Sequence, residues 1–67
     1  MKGAGIMNSF TVQAEGSKSY TVYSHENGKY YRQNMTWWET GGYCVPQTRK
    51  LISKTEYERM EKVNGAN

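Results

Sequence analysis

Cys44 and His25 are the single thiol and the single imidazole of the chain, and together they could act as a nucleophile and its base. No Asp exists to orient such an imidazole, and Cys44 sits in the apolar run Tyr43-Cys44-Val45, which suits a buried, inert thiol. Glu15, Glu26 and Glu39 could supply paired carboxylates, but each borders a turn signal, where a solvated acid is ordinary. One His and one Cys fall short of a four-ligand zinc site, and a lone Cys closes no internal disulfide. No Gly-rich segment leads into a helix in the arrangement that cradles phosphate. These residues point away from catalysis, and no metal or cofactor is expected.

Binding chemistry is better represented. Six Tyr, two Trp and Phe10 accompany nine Lys or Arg and six Glu in 67 residues, for a formal charge of +3. Aromatic rings on a sheet are stacking platforms for bases, and clustered cations neutralise phosphates. Trp, Tyr and Arg are equally the residue types that dominate protein-protein hot spots. Which chemistry applies depends on which rings and charges the fold leaves uncovered.

Composition and spacing outline that fold. With one Leu, two Ile and four Val, the aromatic residues must carry much of the core. A chain this short forms one domain and usually needs a disulfide, a metal or a partner chain as reinforcement; here only a partner chain is left. Residues 1–7 and 65–67 read as frayed ends around a domain spanning 8–64. The N-terminus has no apolar run of signal-peptide length and no segment is long enough to span a membrane, so a cytoplasmic protein is expected.

Period-two alternation predicts strands over Phe10 to Glu15, Tyr20 to Glu26, Lys29 to Glu39 and Tyr43 to Thr48. The turns between them fall at Gly16-Ser17, Asn27-Gly28 and Gly41-Gly42, and Pro46 marks a sheet edge or strand end. Ser53-Lys54-Thr55-Glu56 is a capping box, and Tyr57, Met60 and Val63 recur at spacing three, predicting a helix over about Lys54 to Asn64. The fold class is therefore α+β, an antiparallel meander of three to four strands packed on one C-terminal helix.

A two-residue Asn27-Gly28 loop pairs positions that sum to 55, which sorts the two central strands into faces. Tyr20, Val22, Tyr31, Met35 and Trp37 share one face; Thr21, Tyr23, His25, Tyr30, Arg32, Asn34, Thr36 and Trp38 share the other. The first set is the more apolar and is expected beneath the helix. Successive residues point to opposite faces, so Tyr30-Tyr31 and Trp37-Trp38 each send one ring away from the helix. Short loops at Gly16-Ser17 and Gly41-Gly42 would add Phe10, Val12, Tyr43 and Val45 to the second set and make it too apolar to stay wet; longer ones would move them beneath the helix.

The expected working surface is the second, helix-free face: Tyr23, His25, Tyr30, Arg32 and Trp38, with Lys29, Arg49 and Lys50 extending its positive field. Nucleic acid is the leading partner. The alternative is a protein target met as an inhibitor or adaptor, of the kind found among phage and mobile-element accessory proteins. A homodimer through edge strands is a third reading. A small antiparallel sheet followed by a C-terminal helix is similar in topology to the arm-binding domains of phage-type integrases, and that resemblance implies a sheet laid in the major groove.

Overall fold

The computed structural model describes residues 8–65. The expected tail at residues 1–7 and the last two residues of the expected frayed end, 66–67, lie outside the described residues. Strands β1 (Asn8–Val12), β2 (Tyr20–Glu26), β3 (Lys29–Trp38), β4 (Tyr43–Pro46) and β5 (Lys50–Ile52) precede the helix α1 (Lys54–Gly65). The sheet is antiparallel in the order β1-β2-β3-β4, with β5 also on β3, so the fold is α+β as expected. No helix among these residues is long and apolar enough to cross a membrane.

The central hairpin follows from two residues. Asn27 (φ 53°) and Gly28 (φ 77°) both occupy the left-handed region that a type I′ turn requires, and they set the register Tyr23↔Arg32 and His25↔Tyr30. Beyond β3 the chain makes one interrupted strand rather than one continuous strand. β4 pairs with Met35 to Trp38 and ends at Pro46, while β5 pairs with Tyr30 to Arg32 farther along the same side of β3. The Gln47 N–H still donates to the Asn34 carbonyl at 2.9 Å, so Pro46 lacks an N–H on the outward side of the strand, and the chain leaves β3 over Thr48 and Arg49 before β5. This edge is blunted, whereas the outer edge of β1 carries no Pro and no charged residue.

The helix starts where the capping signal lies. The Glu56 N–H donates to Ser53 Oγ at 3.1 Å, which satisfies one of the first-turn donors. The expected return bond from the Glu56 side chain to the Ser53 N–H is replaced, because that carboxylate accepts from Arg32 Nη1 at 3.1 Å. The cap thereby ties the helix to the sheet instead of closing on itself.

The face beneath the helix is the reverse of the expectation. Tyr57 packs against Phe10, Tyr30 and His25, at ring-centroid separations of 5.3, 4.9 and 6.0 Å, and Phe10 stacks on Tyr23 at 5.2 Å. Tyr23 and Tyr57 are the buried hydrophobic core, 6% and 4% exposed. Both loop registers take the parity of the short-loop case: Phe10 lies opposite Tyr23, Val12 opposite Thr21, Val45 opposite Thr36 and Tyr43 opposite Trp38. With Ile52 opposite Tyr30 as well, the face that contains Tyr23 becomes the more apolar one, and the helix covers it. Tyr20, Val22, Tyr31, Met35 and Trp37, expected in the core, form the helix-free face.

Candidate binding surface

Register alone builds the helix-free face. Tyr31, Gln33, Met35 and Trp37 run down the middle of it on β3. Tyr20 stands beside Met35, Val22 beside Gln33, Leu51 beside Tyr31 and Cys44 beside Trp37. Leu51 is 67% exposed, while the small Ser24, between Ser9 and Tyr31 in register, is buried. No helix or strand packs on this face among the described residues: the ring contacts of α1 and its ion pair with the sheet are all on the opposite side, and most of the face is half-buried by neighbouring strands and by side chains laid along it.

Both ends of the stripe carry a cation laid over a ring. Lys18 Nζ stands 4.8 Å from the Trp37 ring, and the Arg49 guanidinium lies 3.9 Å from the Tyr31 ring. Each cation has an acid nearby. Trp37 Nε1 donates to Glu39 at 3.0 Å, and Arg49 bridges Glu26 at 3.6 Å. The long β1–β2 connection is pinned to this end of the sheet, since Ser19 Oγ accepts the Trp37 N–H at 2.9 Å and Cys44 Sγ donates to the Lys18 carbonyl at 3.2 Å. The helix-free face is therefore mainly aromatic and aliphatic through its middle, broken by Gln33, and carries charges of both signs at its ends, with Lys29 opposite Glu26 beside Arg49.

The eight residues expected to form one binding site are dispersed. Tyr23 is buried beneath the helix, and His25 stacks on Tyr30 at 4.2 Å with both rings against Tyr57. None of these three is a free stacking platform, because the helix occupies their side of the sheet. Arg32, expected on the open working surface, is paired with Glu56 of the helix instead. Lys29 is exposed beside the hairpin turn, and Lys50 lies directly opposite Arg32. Arg49 departs to the other face, where it makes the guanidinium-ring stack. Trp38 is on the helix side but beyond the reach of α1, 46% exposed and packed edge-on against Tyr43 at 5.2 Å.

The thiol and the imidazole do not meet. Cys44 shares the helix-free face with Trp37, His25 is on the helix side, and Cys44 is half-buried rather than buried. His25, expected on the helix-free working surface, is half-buried in the ring cluster beneath the helix. The residues that the sequence reading missed as surface are Lys18, Tyr20, Val22, Tyr31, Met35, Trp37 and Leu51. The signal for them was present in loop parity: two short-loop registers add Phe10, Val12, Tyr43 and Val45 to the other face and tip the balance between the two.

Compared with known proteins, the chain matches no family, no curated protein and no solved structure.

Proposed function

We propose that this protein is a non-enzymatic protein-binding module whose helix-free sheet face is its docking surface, and that the partner this face fits is a second copy of the chain. The observation that carries the reading is the helix-free stripe of half-buried Tyr31, Met35 and Trp37, flanked by half-buried Tyr20 and Val22 and by exposed Leu51, in a domain whose described core holds only two buried hydrophobic residues. Small folds of this kind are usually reinforced by another chain.

Size and charge both bear on a copy. The strands β1 to β5 hold 5, 7, 10, 4 and 3 residues and cover about 470 Å² in projection at ~3.4 Å by ~4.8 Å per residue, so side-chain relief and the flanking loops supply the rest of the ~800 Å² per partner of a standard interface. Each end of the stripe carries charges of both signs: Glu26 between Arg49 and Lys29 at one end, Lys18 and Glu39 around the Trp37 ring at the other. Two copies face to face about a two-fold axis, at the ~10 Å separation of packed sheets, can set the cations of one against the acids of the other. Glu26 and Glu39 also oppose a polyanion on this face.

The test is sedimentation velocity across protein concentration, with Leu51→Glu as the control. Leu51 is two-thirds exposed, so the substitution leaves the fold intact while placing a charge on the docking face. Wild type is expected to shift from monomer to dimer as concentration rises, and Leu51→Glu to stay monomeric with an unchanged far-ultraviolet spectrum. A wild-type chain that remains monomeric into the high micromolar range overturns the proposal.

A further inference from the structure

The interruption of the fourth strand leaves a hollow on the helix side of the sheet. Its volume is about 250 Å³, and Arg32, Asn34, Gln47, Thr48 and Lys50 line it. The loop that frames it is held in place: the Gln47 N–H donates to the Asn34 carbonyl at 2.9 Å, and Gln33 Nε2 donates to the Gln47 carbonyl at 2.9 Å from the opposite face. The hollow is thus shaped before any ligand arrives.

Its chemistry is one-sided. Arg32 spends Nη1 on Glu56 and keeps further guanidinium N–H groups. Asn34 Oδ1 already accepts from Thr21 Oγ1 at 3.0 Å, which leaves the Asn34 amide as donor. Thr48 adds a hydroxyl and Lys50 an ammonium, and none of the lining residues is a carboxylate. Lys50 also lies directly opposite Arg32 across the β3–β5 pair, an arrangement of like charges that disfavours the sheet unless an anion sits between them. Glu56 balances Arg32 alone, so the cluster keeps a net positive charge.

We infer that this hollow binds a phosphate group. It is smaller than the roughly 300–1,000 Å³ of a drug-sized pocket, so it takes the tetrahedral oxyanion and not a whole cofactor. Charge-assisted bonds from Arg32 and Lys50, with neutral donors from Asn34 and Thr48, match an acceptor-only ligand. The phosphate has two sources, a free ion or a nucleic-acid backbone. Trp38 and Tyr43, about half exposed, lie on the same face six residues along β3 from Arg32, roughly 20 Å away. A strand anchored in the hollow runs toward that ring pair. This site is separate from the helix-free face, and it stands or falls independently of the docking proposal.

The experiment is a ¹H–¹⁵N correlation titration of the labelled protein at constant ionic strength, first with inorganic phosphate and then with a short oligothymidylate. Saturable shifts are expected at the amides of Asn34, Gln47, Thr48 and Lys50. In Lys50→Gln the affinity falls by about tenfold or more, the loss expected for one charge-assisted bond, and Thr48→Val weakens it further. Both positions are exposed, so an unchanged pattern of dispersed peaks verifies the fold of each variant. Saturation by phosphate alone identifies the free ion; shifts that extend to the Trp38 indole and the Tyr43 amide only with the oligonucleotide identify the backbone. Non-saturating shifts scattered over the helix lysines, or equal affinity in wild type and Lys50→Gln, mean general counterion binding and overturn the inference.

Discussion

Replacing Tyr57 by Ala tests which face of the sheet the helix covers. The Tyr57 side chain is 96% removed from solvent and touches three other rings, Phe10, Tyr30 and His25. A buried aromatic side chain accounts for ~150–250 Å² of area, worth about 4–6 kcal/mol at 25 cal/mol per Å² against an extended chain. Residual compactness of the unfolded state lowers that to about 3–5 kcal/mol, in line with measured losses for Phe or Trp to Ala. A 67-residue domain has only ~3–10 kcal/mol in total, so Tyr57→Ala is expected to remove a third or more of the stability. Trp37→Ala removes a larger side chain from a face with no second layer, where the main losses are the Lys18 contact and strand-pair packing. Its expected loss is about 1–2 kcal/mol. Urea unfolding followed by far-ultraviolet circular dichroism, at a protein concentration low enough to keep the chain monomeric, measures both. A Trp37→Ala loss larger than that of Tyr57→Ala would refute the face assignment and return the helix to the Tyr31–Trp37 side.

Three other outcomes follow from the geometry. Burial, and then the nearby Glu61 and Tyr30, hold the Tyr57 phenol above its ordinary range. The folded state therefore keeps that proton longer than the unfolded chain. Stability from this group is fully present below about pH 10 and declines as pH rises above it; a melting series on wild type and Tyr57→Phe should show a shallower alkaline decline in the variant. Gly28→Ala places a Cβ at φ 77° and should destabilise the hairpin by about 1–2 kcal/mol, read from the urea midpoint. Gly41→Ala drives a methyl group into the Trp38 ring and to 2.7 Å from Tyr43 Cε2, so the edge-on pair must separate. A change in tryptophan emission and a loss of about 1–2 kcal/mol are expected; an unaltered spectrum would mean that the two rings are not packed over this glycine.

Local rules account for most of the architecture that was legible in the sequence. Asn27-Gly28 defines the central hairpin because both residues accept positive φ, and Ser53 with Glu56 marks the helix start because a hydroxyl is needed three residues before an orphan N–H. Alternation also places one ring of Tyr30-Tyr31 and one of Trp37-Trp38 on each side. The choice of face is a different kind of problem. It turns on a comparison of two surfaces of similar apolar content, and small additions decide it: Phe10 and Val12 from β1, Val45 from β4 and Ile52 from β5. β5 left almost no trace, since Lys50-Leu51-Ile52 is too short to show a period and follows a proline. The hollow at Arg32 and Lys50 was equally hidden, because it exists only where β4 and β5 fail to join. Glu56 satisfied a local capping pattern, yet its carboxylate found a stronger partner in Arg32, which only the tertiary fold brings near.

The interrupted fourth strand also governs how the chain can fail. A fibre grows by adding strands edge to edge, which requires two receptive edges on every molecule, one to give and one to accept. Among the described residues this sheet offers one continuous edge. Among the described residues no strand pairs with the outer edge of β1, whereas the opposite edge has no donor at Pro46 and breaks between β4 and β5. A stray molecule that lays its β1 against a neighbour finds a continuous ladder only on the neighbour's β1, and that pairing uses up both open edges at once. An edge interrupted at Pro46 thus works against continued edge-to-edge growth in a protein whose strands are rich in tyrosine, threonine and valine.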